Sequence, residues 1–91
     1  MENQVYVFNG AEGRFPSAIY SSFESADLWI RKNKLSGILT CYPLDISVYE
    51  WSLKKEYFKV TDERHQLPSF IQSFSSASQE HFHYEDGERL E

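Results

Sequence analysis

The stretch SQEHFHYEDG, residues 78–87, gathers two of the three histidines with Glu80, Glu85 and Asp86. Imidazole and carboxylate groups so close in sequence can hold a metal ion or move a proton. HFHYE alternates in polarity, so an extended reading puts His81, His83 and Glu85 on one strand face and Phe82 and Tyr84 on the other. Side chains two apart on a strand are then roughly 6.5–7 Å apart along it, from a rise of ~3.3 Å per residue. Two such imidazoles hold zinc if a third ligand joins them, and His65 and Glu85 are the candidates. Each imidazole also needs a partner on its other nitrogen, which the sequence does not reveal. HEXXH and CXXC patterns are absent. The leading reading of the same spacing is a solvent-facing polar strand face, with a face that responds to protons or to a partner beside it.

Nucleophilic chemistry finds less support. The serines include no GXSXG elbow, and Ser75-Ser76 lie in a serine-rich run without an activating signature. Cys41, the only cysteine, excludes an internal disulfide and falls in an apolar run, the setting of a small buried hydrophobe. Glu85 and Asp86 are adjacent, so a continuing strand would point them to opposite faces. A shifted carboxyl pKa would also need an apolar setting. NGAEGR lacks the GK[ST] ending of a phosphate loop, and Gly10 and Gly13 read as turn residues. The reading is therefore non-enzymatic and assigns no catalytic residue. No cofactor is expected, zinc at His81 and His83 being the alternative.

Charge points elsewhere. The chain carries a formal net charge of −5, against the basic footprint that a nucleic-acid binder needs. Residues 80–91 set five acidic side chains, Glu80, Glu85, Asp86, Glu88 and Glu91, against Arg89 alone, a net −4 with histidine neutral. Such an end is a solvated tail or a surface facing a basic protein. Glu80, Tyr84, Glu85, Asp86 and Glu88 are the candidate partner-binding residues. The sequence has no run long enough to span a membrane and no basic-then-apolar leader, so a cytoplasmic protein without membrane contact is expected.

The elements that must position these groups follow from local pattern. The 91 residues make one small domain, which buries only about 60–65% of its unfolded surface. Fifteen aromatic residues offset this, since each buries roughly 150–250 Å². VYVFNG reads as a strand and turn, and RFPSAIYSS as its antiparallel partner, with Pro16 at an edge or strand start and Ser17 just before Ala18-Ile19-Tyr20. Ser21 and Glu24 have capping-box spacing ahead of a helix whose Phe23, Ala26, Trp29 and Ile30 share a face, with Gly37 as the C-cap and Leu28 off that face. GILTCYP is a strand covered on both sides, or one with its second face partly buried. Ser47 and Glu50, or Asp45, cap a second helix through DISVYEWSLKKEYF, with Ile46 and Trp51 at staple spacing. KVTDERHQLP reads as a loop, and Phe70, Ile71, Phe74 and Ala77 outline a short third helix weakened by its serines. The order is β-β-α-β-α-α-β, an α+β fold with a small, mainly antiparallel sheet and helices on one face. Residues 1–89 form the domain, and Leu90-Glu91 are set aside as a possible cloning scar.

VYVFNG, GRFPSAIYSS, LSGILTCYPLDISVYEW and FSSASQEHFHYEDG together resemble a family of small uncharacterised bacterial proteins known as a domain of unknown function. The resemblance covers nearly the whole chain outside residues 54–68. It implies a bacterial, cytoplasmic protein and supplies no activity, ligand or site residue. The functional expectation is a small protein-binding module, with an immunity or antitoxin-like protein acting on a basic partner as its concrete form. A metal-binding protein or metal-dependent enzyme using His81 and His83 is the alternative. Self-assembly through an exposed sheet edge is a third possibility.

Overall fold

The computed structural model describes residues 3–90. Its strands are β1 (Gln4–Gly10), β2 (Ala18–Tyr20), β3 (Gly37–Pro43), β4 (His81–Glu85) and β5 (Glu88–Arg89). Its helices are α1 (Phe23–Lys32), α2 (Val48–Lys54) and the single turn α3 (Pro68–Ile71), with a 3₁₀ turn at Glu63–Gln66. The strands form one sheet in the order β2-β1-β3-β4-β5, and every neighbouring pair is antiparallel. The α+β class and the element order follow the sequence reading, with β5 and the 3₁₀ turn added.

Cross-strand register creates the core. Tyr6 pairs with Cys41, Phe8 with Leu39, Leu39 with Phe82 and Gly37 with Tyr84. Directly opposed residues share a face, so these side chains make one apolar surface, which α1 covers with Phe23, Ala26, Trp29 and Ile30. Leu39, Ala26 and Ile30 are wholly buried there. Leu28 points away and is 69% exposed. Central strand β3 takes the second of the two alternatives. Leu39 is buried, but Ile38 and Tyr42 on the other face are exposed.

Two caps differ from expectation. Ser22, one residue later than Ser21, caps α1, its Oγ accepting the Ser25 amide at 3.2 Å. The chain leaves α1 through Asn33 and a left-handed Lys34 (φ 54°), where the Leu35 amide returns to the Ile30 carbonyl at 3.0 Å. Gly37 therefore does not end α1. It opens β3, where a Cβ would strike the Asn9 carbonyl and lie 2.9 Å from Gly10 Cα. Close passage of two strands requires that glycine. At α2, Ser47 wins over Asp45, accepting the Glu50 amide at 3.0 Å.

α2 ends at Lys54, short of Phe58. The following chain folds back so that Phe58, His65, Phe70 and Phe74 surround Tyr49, with Phe58 and Phe74 centroids 5.0 Å apart. The Tyr49 hydroxyl donates to the His65 carbonyl at 2.9 Å. α3 is one turn because serine hydroxyls take over locally: Ser73 Oγ donates to the Ser69 carbonyl at 3.0 Å. Near the end of β3, Trp51 and Tyr57 line a cleft with Gln4, Pro43 and Glu80. No helix among the described residues is long and apolar enough to cross a membrane.

Candidate functional site

β4 carries the opening motif, and its register decides what each residue faces. His81 lies opposite Thr40 and His83 opposite Ile38. Alternation sends both imidazoles, with Glu85, to the face away from α1, and all three are exposed. The imidazole rings meet edge to face, centroids 5.4 Å apart and planes at 75°. His81 Nδ1 lies 2.8 Å from the Gln79 carbonyl oxygen. A carbonyl only accepts, so this bond requires the proton on Nδ1.

The rest of that face is mixed. Ile19 is 66% exposed, and Ile38 and Tyr42 lie uncovered on the same side. A cleft of about 400 Å³ runs between Ile38, Thr40, Tyr42, His81 and His83 and the Ser75–Ala77 loop. A second, of about 430 Å³, shares Ile38 and His83 and continues to Glu85 and Leu90. The two adjoin at Ile38 and His83 in a trough on the open side of the sheet. The sequence reading missed it because it needs β3 and β4 side by side.

The proposed third metal ligands do not join the pair. His65 lies in the aromatic cluster around Tyr49, and its Nδ1 accepts the Thr61 amide at 3.3 Å. Among the described residues no three His, Cys, Asp or Glu side chains group as a metal site of that size requires.

The acidic end is a hairpin. Asp86 (φ 50°) and Gly87 (φ 83°) both turn left-handed between β4 and β5, as a two-residue Asp-Gly hairpin loop demands. Glu85 is paired with Glu88. The turn is anchored to the end of α1: Gly87 donates its amide to the Leu35 carbonyl at 2.8 Å, and Asp86 donates its own to Ser36 Oγ at 2.9 Å. Glu88 acts electrostatically on Arg31, so part of the acidity is met within the molecule. Glu80 belongs to another region, its carbonyl accepting the Cys41 amide at the far end of β4. Leu90, just past β5, donates its amide to the His83 carbonyl at 2.8 Å. Glu91 lies outside the described residues.

Tyr84 leaves the exposed surface altogether. It is 4% exposed, and its hydroxyl donates to Asp27 at 2.7 Å. Burial, then that hydrogen bond, pushes the Tyr84 phenol well above its ordinary range. Burial alone would raise the Asp27 carboxyl, but hydrogen bonds from Tyr84 and Arg31 and the Arg31 charge outweigh it and hold Asp27 low. Arg89, opposite Tyr84, lies over the Phe23 and Phe82 rings at 5.6 and 5.4 Å. Cys41 faces Tyr6 on the helix side, and burial, then the Glu80 charge, pushes its thiol up. That is the opposite of an activated nucleophile.

One further concavity had no sequence signal. Trp51, Leu44 and Ile46 line a cleft of about 440 Å³ whose rim includes Asp45 and Lys54. The staple residues Ile46 and Trp51 thus both border open space.

No curated protein and no solved structure matches the chain. A family model matches residues 5–90, a range that contains every segment quoted above for the resemblance and Leu90 besides. The chain belongs to that family, a domain of unknown function designated DUF7710.

Proposed function

We propose that this chain is a non-enzymatic protein-binding module of the bacterial cytoplasm, which docks a protein partner on the uncovered face of its sheet. One observation carries the reading: Ile38 and His83 border two adjoining clefts, and Tyr42 one of them, on a face that α1 leaves open. Apolar and tyrosine contacts at the centre with charge at the rim are the usual anatomy of a protein interface. The rim charge is Glu85 paired with Glu88, with Asp86 between them in the chain. The partner that fits therefore has an apolar ridge flanked by basic residues. Its encounter is steered by those charges more than it is tightened by them. In its narrowest form this is an immunity or antitoxin-like protein that neutralises a basic partner. Tyr84 is not among the contacting residues, and Glu80 is too far along β4 to act with the turn.

The test captures partners of the native chain at low and physiological salt, beside Ile38→Arg and the double variant Glu85→Lys/Glu88→Lys. A specific basic protein held by the native chain, lost with Ile38→Arg and weakened with the lysine variant, supports the reading. No specific protein at either salt, or one retained by both variants, sinks it.

A further inference from the structure

The geometry points to His81 and His83 as a chelating pair for a borderline divalent cation, with the remaining coordination positions left to water or an incoming ligand. Three observations converge. First, the spacing fits a single ion. A cation ~2.0–2.1 Å from each Nε2, in square-planar or tetrahedral geometry, sets imidazole centroids about 4.5–5.2 Å apart. The observed 5.4 Å separation lies just outside that range.

Second, the tautomer of His81 is the one a ligand needs. Its Nδ1–H is spent on the Gln79 carbonyl, which leaves the lone pair of the neutral ring on Nε2. Ligating histidines commonly donate their other N–H to a backbone carbonyl in this way, which fixes the ring and makes the free nitrogen more basic. Gln79 is itself 5% exposed, and its amide donates to the Cys41 carbonyl at 3.1 Å, so the orienting residue is held in place.

Third, the pair is accessible and uncommitted. The His83 imidazole makes no hydrogen bond among the described residues, and neither imidazole is in an ion pair there. Both line the trough beside Thr40 and Tyr42. Two imidazoles select borderline cations, with nickel and copper above zinc in intrinsic affinity, over the hard cations magnesium and calcium. With two protein ligands, an ion here keeps open positions. It is a binding site rather than a structural staple.

The test uses the full chain with no polyhistidine tag. Ni²⁺ is the probe, because Cu²⁺ also oxidises thiols and Cys41 is free. Calorimetric titration is expected to give one Ni²⁺ per chain, displaced by Zn²⁺ and unaffected by excess Mg²⁺. His81→Gln and His83→Gln should each weaken Ni²⁺ roughly tenfold or more, while His65→Gln leaves it unchanged. Paramagnetic broadening of amide signals should centre on residues 38–42 and 81–83. His83→Gln removes no hydrogen bond, so it is expected to fold, which its unbroadened amide spectrum checks. Native-like binding by both Gln variants, or an equal loss in His65→Gln, overturns the assignment. Either result leaves the docking reading standing, because that reading is tested by partner capture with the Ile38 and rim-carboxylate variants and needs no metal ion.

Discussion

Tyr84 shows how one side chain changes role once its neighbours are known. Its place two residues beyond Phe82 assigns it to an apolar face, while its acidic surroundings invite a surface role. The fold resolves this by giving the hydroxyl a partner 57 residues away in sequence, Asp27. A buried hydroxyl on a carboxylate is a strong hydrogen bond, and Tyr84→Phe is expected to cost about 1–2 kcal/mol in urea unfolding at pH 7. The pH dependence has a definite sign. Asp27 is held low when folded, so its contribution is complete above the usual carboxylate range and is lost as pH falls below about 4. Tyr84 is held high, so its contribution is complete at neutral pH and is lost as pH rises above about 10. Tyr84→Phe should therefore flatten the alkaline limb of the stability profile, and an unchanged limb would remove this pair from the account.

Helix starts and hairpin turns can be separated at the level of single elements. Ser22→Ala and Ser47→Ala each remove an observed cap and should cost about 1 kcal/mol, whereas Ser21→Ala should stay within about 0.5 kcal/mol. Equal losses at Ser21 and Ser22 would contradict the observed α1 start. The β4–β5 hairpin depends on Gly87, where a Cβ would lie 2.8 Å from Lys34 Cα and φ is +83°. Gly87→Ala is expected to lift the turn off the end of α1 and cost about 2 kcal/mol or more, through strain and the strained Leu35 contact together. Loss of exchange protection at the Gly87 and Leu90 amides, with β1 unaffected, is the local signature. The Asp-Gly pair was a hairpin signal present in the sequence. The strand after it has only two residues, too few for a pattern that separates a hairpin from the start of a tail.

At the scale of the molecule, the chain has two aromatic centres of unequal standing. One lies between the sheet and α1 and includes residues with no exposure at all; in the other, a buried Tyr49 is ringed by partly buried aromatics on short or irregular segments. Segments with few buried contacts open locally at lower free energy than the core. Phe70→Ala should thus raise hydrogen exchange in residues 58–75 while β1 and β3 keep their protection. Loss of protection throughout the chain would mean that the two centres unfold as one unit.

Much of this was legible before any coordinate. Period-two and helical patterns located β1, β2, α1, β3, α2 and β4, because local sterics and alternation act within a few residues. Ser47 and Pro16 were likewise local matters. What tertiary structure alone decided was which groups meet. Strand order put β3 between β1 and β4, and that juxtaposition made the trough, buried Tyr84 on Asp27 and left Ile38 beside His83. It also sent His65 to the Tyr49 cluster and returned Gly87 to the end of α1. Such contacts join residues tens of positions apart, and no local propensity encodes them. His81 and His83 stand on both sides of that division: alternation alone placed them on one face, but only the fold supplied the Gln79 carbonyl that orients one of them and the open surface that leaves both within reach of a ligand.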